Sequence, residues 1–418
     1  MKEVIHFKPE SAFVPESPES RELGEKKEIE FVTDPVSGKI LKIGDPRDVR
    51  EWLRAEQEKN QKLVITPEMG SVALPAFTDA HHHLLYGTLD VIRAGYVFGI
   101  ESSQAVADSI KEQIKDEDKS IPKVVLGHNT AAVPDVFREE LDEASPDQPI
   151  CLSDLSFHGA RLNTPMLKLV MEAVDKEKKA GRHLAGSIDE KTGQVTEEYA
   201  ILAIQIAESY HGIEKIAEGM KGKLDEWIGQ GITDIHELYP MSWDDLTAML
   251  LARKQWREER GTEFPVRQIF MSPILLQRLH EQQRSLEAAG LFDPQKDWNM
   301  VGFKLLADGS FGSHTALLKD PYADFGGHGI EFNSLEELNR AVEMAREYGI
   351  DKIAMHGIGD AGILRALDTA KKWRRAAELS KLDPNNFRIE HFELSQDLLD
   401  ETKRLGVWVN SEPNFLTD

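Results

Sequence analysis

The chain is poor in cysteine and has no long hydrophobic run. Cys151 is the single cysteine among 418 residues, so an internal disulfide is excluded. The first residues, Met1 to His6, lack the apolar stretch of a signal peptide, and no segment reaches the length of a transmembrane helix. These absences predict a cytoplasmic protein without a membrane segment.

Basic residues are also scarce relative to acidic ones. The chain has 50 Lys and Arg against 73 Asp and Glu, which gives a net charge of −23. Such a charge argues against nucleic acid and anionic membranes as partners, and its simplest meaning is a solubilising acidic surface. Hydrophobic content of 40% and charged content of 29% are ordinary for a soluble enzyme. We therefore expect a small-molecule substrate as the main partner.

Two parts of unequal size are predicted. Residues 1–73 are charged and irregular, with strand-like runs at 38–44 and 62–66 and a polar helix between them at 48–62. They predict a small β-rich piece beside a main domain that covers residues 74–418. At this length, one large α/β barrel with additions is the expected architecture.

The most informative stretch is 74–84, in which an apolar approach ends in Asp79 and three consecutive histidines. Side chains alternate along a strand, so His81 and His83 point one way and His82 the other. Two imidazoles at the end of a strand are half of a metal site, although a solvated histidine cluster in a loop is the alternative.

Short apolar runs alternate with helical stretches through the rest of the chain. Counting the one that ends at His81, seven runs are predicted to be strands, at 74–83, 231–236, 266–271, 301–306, 350–356, 387–391 and 406–410. This alternation indicates a parallel sheet, and the predicted fold is a distorted (β/α)8 TIM barrel. The eighth strand is missing from this chain, because the sequence stops just after the seventh.

Three further segments lie between the first two of these strands. Residues 86–118 have a helical pattern, residues 119–200 mix short strands and turns, and residues 197–229 form a long helical tract. The middle segment is predicted to be an insertion in the barrel that walls a pocket.

Metal-ligand residue types recur where the predicted barrel strands end. They are His81, His83, Lys304, His356 and His391. Any one histidine could be structural, and Lys304 could extend to solvent, but active sites of such barrels gather at these strand ends. A lysine inside the barrel mouth must be paired, neutral or modified, for example as a carbamate that bridges two metal ions.

These residues stand in motifs that resemble the metal-dependent amidohydrolase superfamily, within it amidohydrolase family 3, the YtcJ-like branch. The matching segments are Pro75 to His83, His158 to Thr164, Gly302 to Ala316, His356 to Asp360 and Arg388 to Phe392. The resemblance implies a distorted barrel with a small β-sandwich built from both chain ends. It also implies one or two Zn²⁺ ions held by His81, His83, carboxylated Lys304, His356 and His391.

The sequence departs from the family pattern at several positions. Ala76 replaces a glycine, His82 takes a usually apolar position, and His314 stands where arginine is usual. The family's eighth strand supplies an aspartate that binds metal and moves the proton. Asp418, only a few residues past the seventh strand, is a poor substitute for it.

The resemblance implies a hydrolase acting on carbon–nitrogen bonds other than peptide bonds, in a small amide, formamide or cyclic amide, by metal-bound hydroxide. His158 is a candidate to polarise the substrate carbonyl, and Asp308 either takes part in the chemistry or fixes the loop after its strand. The alternatives are an esterase, lactonase or phosphoesterase using the same site, and an inactive truncated homologue that only binds metal. A barrel with incidental histidines is the least favoured alternative. A homodimer is a further expectation.

Overall fold

The structure is a computed structural model that describes residues 2–13, 26–35, 39–130, 132–154, 156–179, 181–324, 326–394 and 397–412. The chain divides into two compact units. One comprises residues 1–78, 228–234 and 255–265, and the other comprises residues 79–227, 235–254 and 266–418.

The amino-terminal part of the first unit is a five-stranded sheet with one helix. In chain order its elements are β1 (Lys2–Phe13), β2 (Lys26–Lys27), β3 (Glu30–Thr33), β4 (Ile40–Gly44), α1 (Pro46–Lys59) and β5 (Leu63–Ala73). Strand β1 pairs antiparallel with β2 and β3 and parallel with β5, and β4 pairs antiparallel with β3. The sequence had indicated only β4, α1 and the beginning of β5, because charges and prolines obscure the alternation in β1.

Local chemistry explains where α1 begins. The Asp45 carboxylate accepts the N–H of Arg47, and Pro46 occupies the first turn, where its missing N–H costs nothing. Val49 and Leu53 then lie one turn apart on the buried face of the helix. They pack on Val4 and Val32 of the sheet, so this small unit has its own apolar core.

A six-stranded sheet follows the first barrel strand and its helix. The elements are β6 (Phe77–His82), α2 (Leu85–Ile92), β7 (Arg93–Tyr96), α3 (Ser103–Gln113), β8 (Lys123–His128), α4 (Arg138–Ala144), β9 (Ile150–Asp154), β10 (Gly159–Leu162), α5 (Thr164–Lys179), β11 (Ile188–Asp189), β12 (Gln194–Thr196), α6 (Glu198–Ser209) and α7 (Ile213–Gly229). Its strand order is β11-β12-β10-β9-β8-β7.

The prediction of helix throughout residues 86–118 was wrong. The helix α2 ends at Ile92, and β7 pairs parallel with β8 before α3 begins. Residues 93–96 form a strand because they pair with β8, about thirty residues further along the chain. The local pattern of apolar residues carries no information about such a distant partner.

The remaining strands form the barrel sheet with β6. In chain order the elements are β13 (Ile232–Leu238), α8 (Trp243–Arg260), β14 (Val266–Met271), α9 (Pro273–Ala288), a 3₁₀ turn (Asp297–Met300), β15 (Val301–Leu306), α10 (Leu335–Tyr348), β16 (Ile353–Gly357), α11 (Asp360–Ser380), β17 (Phe387–His391), α12 (Leu399–Leu405) and β18 (Trp408–Asn410). The strand order is β18-β17-β16-β15-β14-β13-β6, and the neighbours from β13 to β18 pair parallel. The predicted α/β class and barrel strands are confirmed.

The register of the barrel sheet aligns the carboxyl ends of its strands. Leu306 is level with His356, His356 with Glu390, and Glu390 with Asn410. Strand β15 is buried along its whole length, as expected of a central parallel strand covered on both faces. The polar residues at these strand ends are therefore gathered at one edge of the sheet.

Of two remaining expectations, one falls outside the described residues and the other can be examined within them. Asp418 and any strand after β18 lie beyond residue 412, where the described residues end. Within the described residues, no helix combines the length and the apolar character needed to cross a membrane.

Two leucines on α11 test how strongly the barrel depends on its core. Leu367 is fully buried and Leu379 is 77% exposed. We expect Leu367→Ala to lower the free energy of unfolding by about 2–5 kcal/mol, because it leaves a cavity, and Leu379→Ala to change it by less than about 0.5 kcal/mol. Urea unfolding followed by circular dichroism measures both. Equal effects would contradict this packing.

Candidate metal centre

Five histidine rings form a continuous row at the carboxyl edge of the barrel sheet. The ring centroids are 5.2 Å apart for His83 and His81, 4.7 Å for His81 and His391, 4.5 Å for His391 and His356, and 5.4 Å for His356 and His158. The four histidines predicted as metal ligands are therefore brought together, and His158 joins them at one end.

The strands deliver these rings from different directions. His81 lies near the end of β6, His356 near the end of β16, and His391 is the last residue of β17. His391 and Phe392 have left-handed backbone conformations, with φ of 70° and 58°. This local strain, uncommon outside glycine, breaks the alternation of β17, so Glu390 and His391 both reach the site.

Glu390 orients the first histidine of the row. Its fully buried carboxylate accepts a hydrogen bond from His81 Nδ1 at 2.7 Å and another from the Asn410 side chain at 3.0 Å. Its other oxygen pairs with Arg388 at 2.5 Å. A carboxylate that holds one ring nitrogen is the usual outer partner of a metal-binding histidine, since it leaves the second nitrogen to face the ion.

Three of the imidazoles, those of His81, His83 and His356, are held in their neutral form. Burial, together with the nearby positive charge of Lys304, lowers the pKa of His81 and His83 well below the usual value. Burial and the neighbouring His391 and His158 do the same for the pKa of His356. Neutral imidazoles are the form that binds metal.

Lys304 is buried in the middle of the same cluster. Its side chain projects from β15, and its charge acts on His81, His83 and His356. Burial lowers the pKa of this lysine to about 8, although the carboxylate of Glu390 acts the other way. It does not extend to solvent, since Lys304 is only 3% exposed.

His82 lies in different surroundings, as strand alternation predicted. Its Nδ1 bonds Asp79 at 2.7 Å, and its ring packs edge-on against Trp227 with centroids 4.0 Å apart. It belongs to an aromatic group with Tyr86 and not to the row of five rings.

His158 is paired with a glutamate from the same insertion. Its Nδ1 bonds the Glu197 carboxylate at 2.7 Å, and the Glu197 N–H donates to the His158 carbonyl at 2.7 Å. The two residues flank the paired positions Gly159 and Thr196 of β10 and β12, so the sheet ladder sets them side by side. The other Glu197 oxygen accepts the Thr315 hydroxyl, and Glu197 itself is strained, with φ of 55°.

Charge in this pair favours a protonated histidine. Burial opposes the charged form of His158, but the carboxylates of Glu197, Asp154 and Asp308 together raise its pKa above the usual value. His158 is thus the member of the row best suited to donate a proton.

Asp308 joins three loop segments. Its fully buried carboxylate accepts the N–H groups of Leu317, Ile358 and Gly359 at 2.8–3.1 Å. Helix α11 comes so close that a Cβ at Gly362 would lie 2.2 Å from Asp308 Oδ2. Burial raises the pKa of this carboxyl to about 7, although the three N–H donors act the other way. Asp308 also lies 3.7 Å from His356 Nε2, and its hydrogen bonds hold the loop that directly follows the strand of this histidine.

Sequence reasoning did not assign roles to three carboxylates of the site. Glu390 directly precedes His391, Glu197 follows the insertion hairpin, and Glu412 comes two residues after β18. The Glu412 oxygens lie 3.4 Å from His81 Nδ1 and 3.2 Å from His391 Nδ1. In the sequence, each of these carboxylates is distinguished only by standing next to a predicted strand or ligand. Many other acidic residues have such a neighbour, so this position alone could not identify them.

A cavity of 1090 Å³ lies beside β15. Lys304 and Leu306, which share one face of β15, lie in its wall. Apolar side chains make up much of the rest: Leu184, Ile201, Leu202, Tyr239, Met241, Trp243 and Phe332. The volume is at the upper end of ordinary small-molecule sites.

The donor set fits a divalent cation. The Nδ1 atom of His83 is buried and has no hydrogen-bond partner among the described residues, a condition that costs free energy unless a ligand satisfies it. One nitrogen of His81, one of His391 and one oxygen of Glu412 all lie within 4.8 Å of one another. Imidazole and carboxylate donors are those that zinc and related divalent metals bind.

The chain is similar in sequence to known proteins. Residues 69–418 match the model of the amidohydrolase family. The putative amidohydrolase YtcJ of Bacillus subtilis is 24% identical over 412 residues, which cover 94% of this chain and 71% of that protein. The N-substituted formamide deformylase of Arthrobacter pascens is 23% identical over 376 residues, covering 85% of this chain and 64% of the deformylase.

A solved structure shares the fold. It is an uncharacterized metal-dependent hydrolase from Pyrococcus furiosus, with a TM-score of 0.63 and 23% identity, and the match covers 99% of this chain and 78% of that one. At this identity the likeness shows the architecture of the chain.

We expect Asp308→Asn to destabilise the loops around His356. An amide places an NH₂ group against backbone N–H donors, so the free energy of unfolding should fall by about 1–3 kcal/mol. Asp320→Asn, at an exposed position of the same loop region, is the control and should have no effect. Urea unfolding measures both, and wild-type stability of the Asp308 variant would show that the three hydrogen bonds do not matter.

Proposed function

This chain belongs to the amidohydrolase family, in the branch called family 3, and from that membership we propose that it hydrolyses a carbon–nitrogen bond other than a peptide bond in a small organic substrate. The family implies a divalent metal. The observation that carries the proposal is the row of imidazoles beside the buried Lys304, in which burial lowers the pKa of His81, His83 and His356. Burying several basic side chains together costs free energy, and a metal ion that binds their neutral forms would offset this cost.

We assign the metal-holding role to His81, His83, Lys304, His356 and His391. Zinc is the proposed ion, because imidazole nitrogens dominate the donor set. When bound, such an ion lowers the pKa of water to near neutrality and polarises a carbonyl oxygen. Glu390 keeps the His81 ring oriented for this task, and Asp308 keeps the loop of His356 in place.

Lys304 is proposed to act as a carbamate. A lysine with a pKa of about 8 has an appreciable neutral fraction near neutral pH, and a neutral amine adds carbon dioxide with loss of a proton. The product is an anionic oxygen ligand in place of a buried cation. This change would relieve the repulsion between Lys304 and any bound metal.

His158 is proposed to hold a proton for the reaction. Glu197 fixes its Nδ1, which leaves Nε2 for the substrate carbonyl or for the leaving nitrogen. The Glu197 carboxylate is buried, and the Thr315 hydroxyl fixes it in turn.

The cavity and one relative suggest the substrate. A volume of 1090 Å³ suits an amide that carries a sizeable substituent, and the wall offers both apolar and polar side chains to contact it. The Arthrobacter pascens protein is named for N-substituted formamides, which are amides of this kind. We therefore propose an amide, a formamide or a cyclic amide as the substrate class.

A matched panel tests the bond that is cleaved. Amides, formamides and cyclic amides with the same apolar substituent should be hydrolysed by the zinc-loaded protein, with the corresponding esters, lactones and phosphoesters as comparison. Faster turnover of the esters or phosphoesters would replace the proposed substrate class. Metal binding without turnover of any compound would favour a chain that binds metal only.

The three consecutive histidines provide an internal control for the metal centre. We expect His81→Asn and His83→Asn each to weaken zinc binding by more than about 100-fold, beyond the usual cost of losing an outer partner. His82→Asn should leave zinc binding unchanged, because His82 contacts Asp79 and Trp227. Elemental analysis after dialysis and competition with a chelating dye give the affinities. Full zinc content in the His81 and His83 variants would refute the centre.

The His158–Glu197 pair predicts a pH effect. If His158 acts protonated, activity is lost as the pH rises through its pKa. Removing the charge of Glu197 lowers that pKa, so Glu197→Gln should move the loss of kcat/KM to lower pH. His158→Asn should reduce kcat/KM by about 10²-fold or more. Glu190→Gln, at an exposed position, is the control. An unshifted pH profile for Glu197→Gln would contradict the role of the pair.

A further inference from the structure

The segment after the last barrel strand brings a carboxylate into the row of histidines. Strand β18 pairs with β17 so that Asn410 is level with Glu390. Two residues further on, Glu412 lies just past the end of β18, and His391 is the last residue of the neighbouring strand β17. Its side chain is 23% exposed, so it lies at the boundary between the buried cluster and the open side of the site.

We propose that Glu412 is a carboxylate ligand of the metal centre, on the same divalent cation as His81 and His391. This inference rests on the proposed function, because it requires that the centre binds a metal. It adds a ligand that neither the family motifs nor the sequence reasoning assigned.

The distances distinguish Glu412 from Glu390, the other carboxylate that faces His81. Glu390 is at 2.7 Å, the length of a charge-assisted hydrogen bond. Glu412 is 3.4 Å from His81 Nδ1 and 3.2 Å from His391 Nδ1. His81 Nδ1 already donates to Glu390, so the distance that bears on a shared ion is the 3.2 Å between Glu412 and His391 Nδ1. Two donors about 2.0–2.1 Å from a tetrahedral zinc are roughly 3.3–3.4 Å apart, and one nitrogen of His81 lies within 4.8 Å of both donor atoms.

The hydrogen-bond state of Glu412 supports the same assignment. Its Oε1 atom is buried and has no hydrogen-bond partner among the described residues. A buried carboxylate oxygen is costly unless it is satisfied, and a cation between it and the imidazoles would satisfy it.

The chemistry of the set is also that of a metal site. Two imidazoles with one carboxylate make a mixed nitrogen and oxygen donor set, which occurs in zinc hydrolases that keep one position open for substrate or water. Glu412 supplies negative charge that partly offsets the divalent ion, which neutral histidines alone cannot do.

Metal binding to the metal-free full chain tests the proposal. Zn²⁺ affinity is measured by competition with a chelating dye, and the Co²⁺ complex is followed by its visible absorption, which reports the ligand atoms. Glu412→Gln keeps the size of the side chain and removes its charge. We expect it to weaken Zn²⁺ binding by about 100-fold or more and to change the Co²⁺ spectrum. Loss of a residue that only hydrogen-bonds to a ligand typically weakens metal binding by about 10- to 100-fold.

Glu393→Gln is the matched control. Glu393 is two residues from His391, and the charges of His391 and Glu412 act on it, but its side chain is exposed. It should leave the affinity and the spectrum unchanged, which separates ligation from a general effect of nearby charge. Glu412→Ala is tested alongside, with circular dichroism of the metal-free proteins, so that a folding defect of one variant does not decide the result.

The outcomes are separable. Glu412 variants with wild-type Zn²⁺ affinity and Co²⁺ spectrum, while His81→Asn loses metal, would overturn this proposal and leave the metal centre standing. Equal losses in Glu412→Gln and Glu393→Gln would overturn it in favour of a charge effect. Wild-type binding in His81→Asn as well would refute the metal centre itself.

Discussion

Burial of basic side chains is the constraint on which this site depends. Five imidazoles and the Lys304 amine lie close together, and burial disfavours positive charge on His81, His83, His356 and Lys304. The cluster is tolerable only if most of these groups are neutral and carboxylates compensate the remainder. Glu390 and Glu197 do so by direct hydrogen bonds, and both are almost completely buried. A divalent ion needs the same neutral imidazoles and nearby anions, so the electrostatic requirement of the fold is also the requirement of the metal.

Strained backbone is concentrated where the chain turns ligands toward this cluster. Glu197, His391 and Phe392 have positive φ values without being glycine. They lie at the end of a strand or directly after it, where regular alternation would have directed some of these side chains away from the site. The parallel sheet and the insertion sheet are rigid enough to hold such residues, and positive φ at non-glycine residues is often associated with function. The positions of the rings therefore depend on a few residues with positive φ at the ends of otherwise regular strands.

Prediction from the sequence succeeded where local pattern and family motifs agreed. The barrel strands from β13 to β18 are short apolar runs between amphipathic helices, and their order in the sheet follows from parallel βαβ connections. Prediction failed at Arg93–Tyr96, which forms β7 through a distant partner, and at Lys2–Phe13, whose pairing with β5 spans about sixty residues. The role of Glu412 was equally hidden, since nothing in its neighbours in the chain distinguishes it from other acidic residues.

The amino-acid sequence by itself determined the class of fold, the strand ends that carry His81, His83, Lys304, His356 and His391, and the separate direction of His82. These properties follow from periods of two and 3.6 residues and from motif order, which are local. Only the tertiary structure decided which carboxylates serve which histidines: Glu390 with His81, Glu197 with His158, and Glu412 beside His81 and His391. The pairs Glu390–His81 and Glu412–His81 join residues more than 300 positions apart. Their distances depend on sheet register and on left-handed residues, which no local pattern encodes.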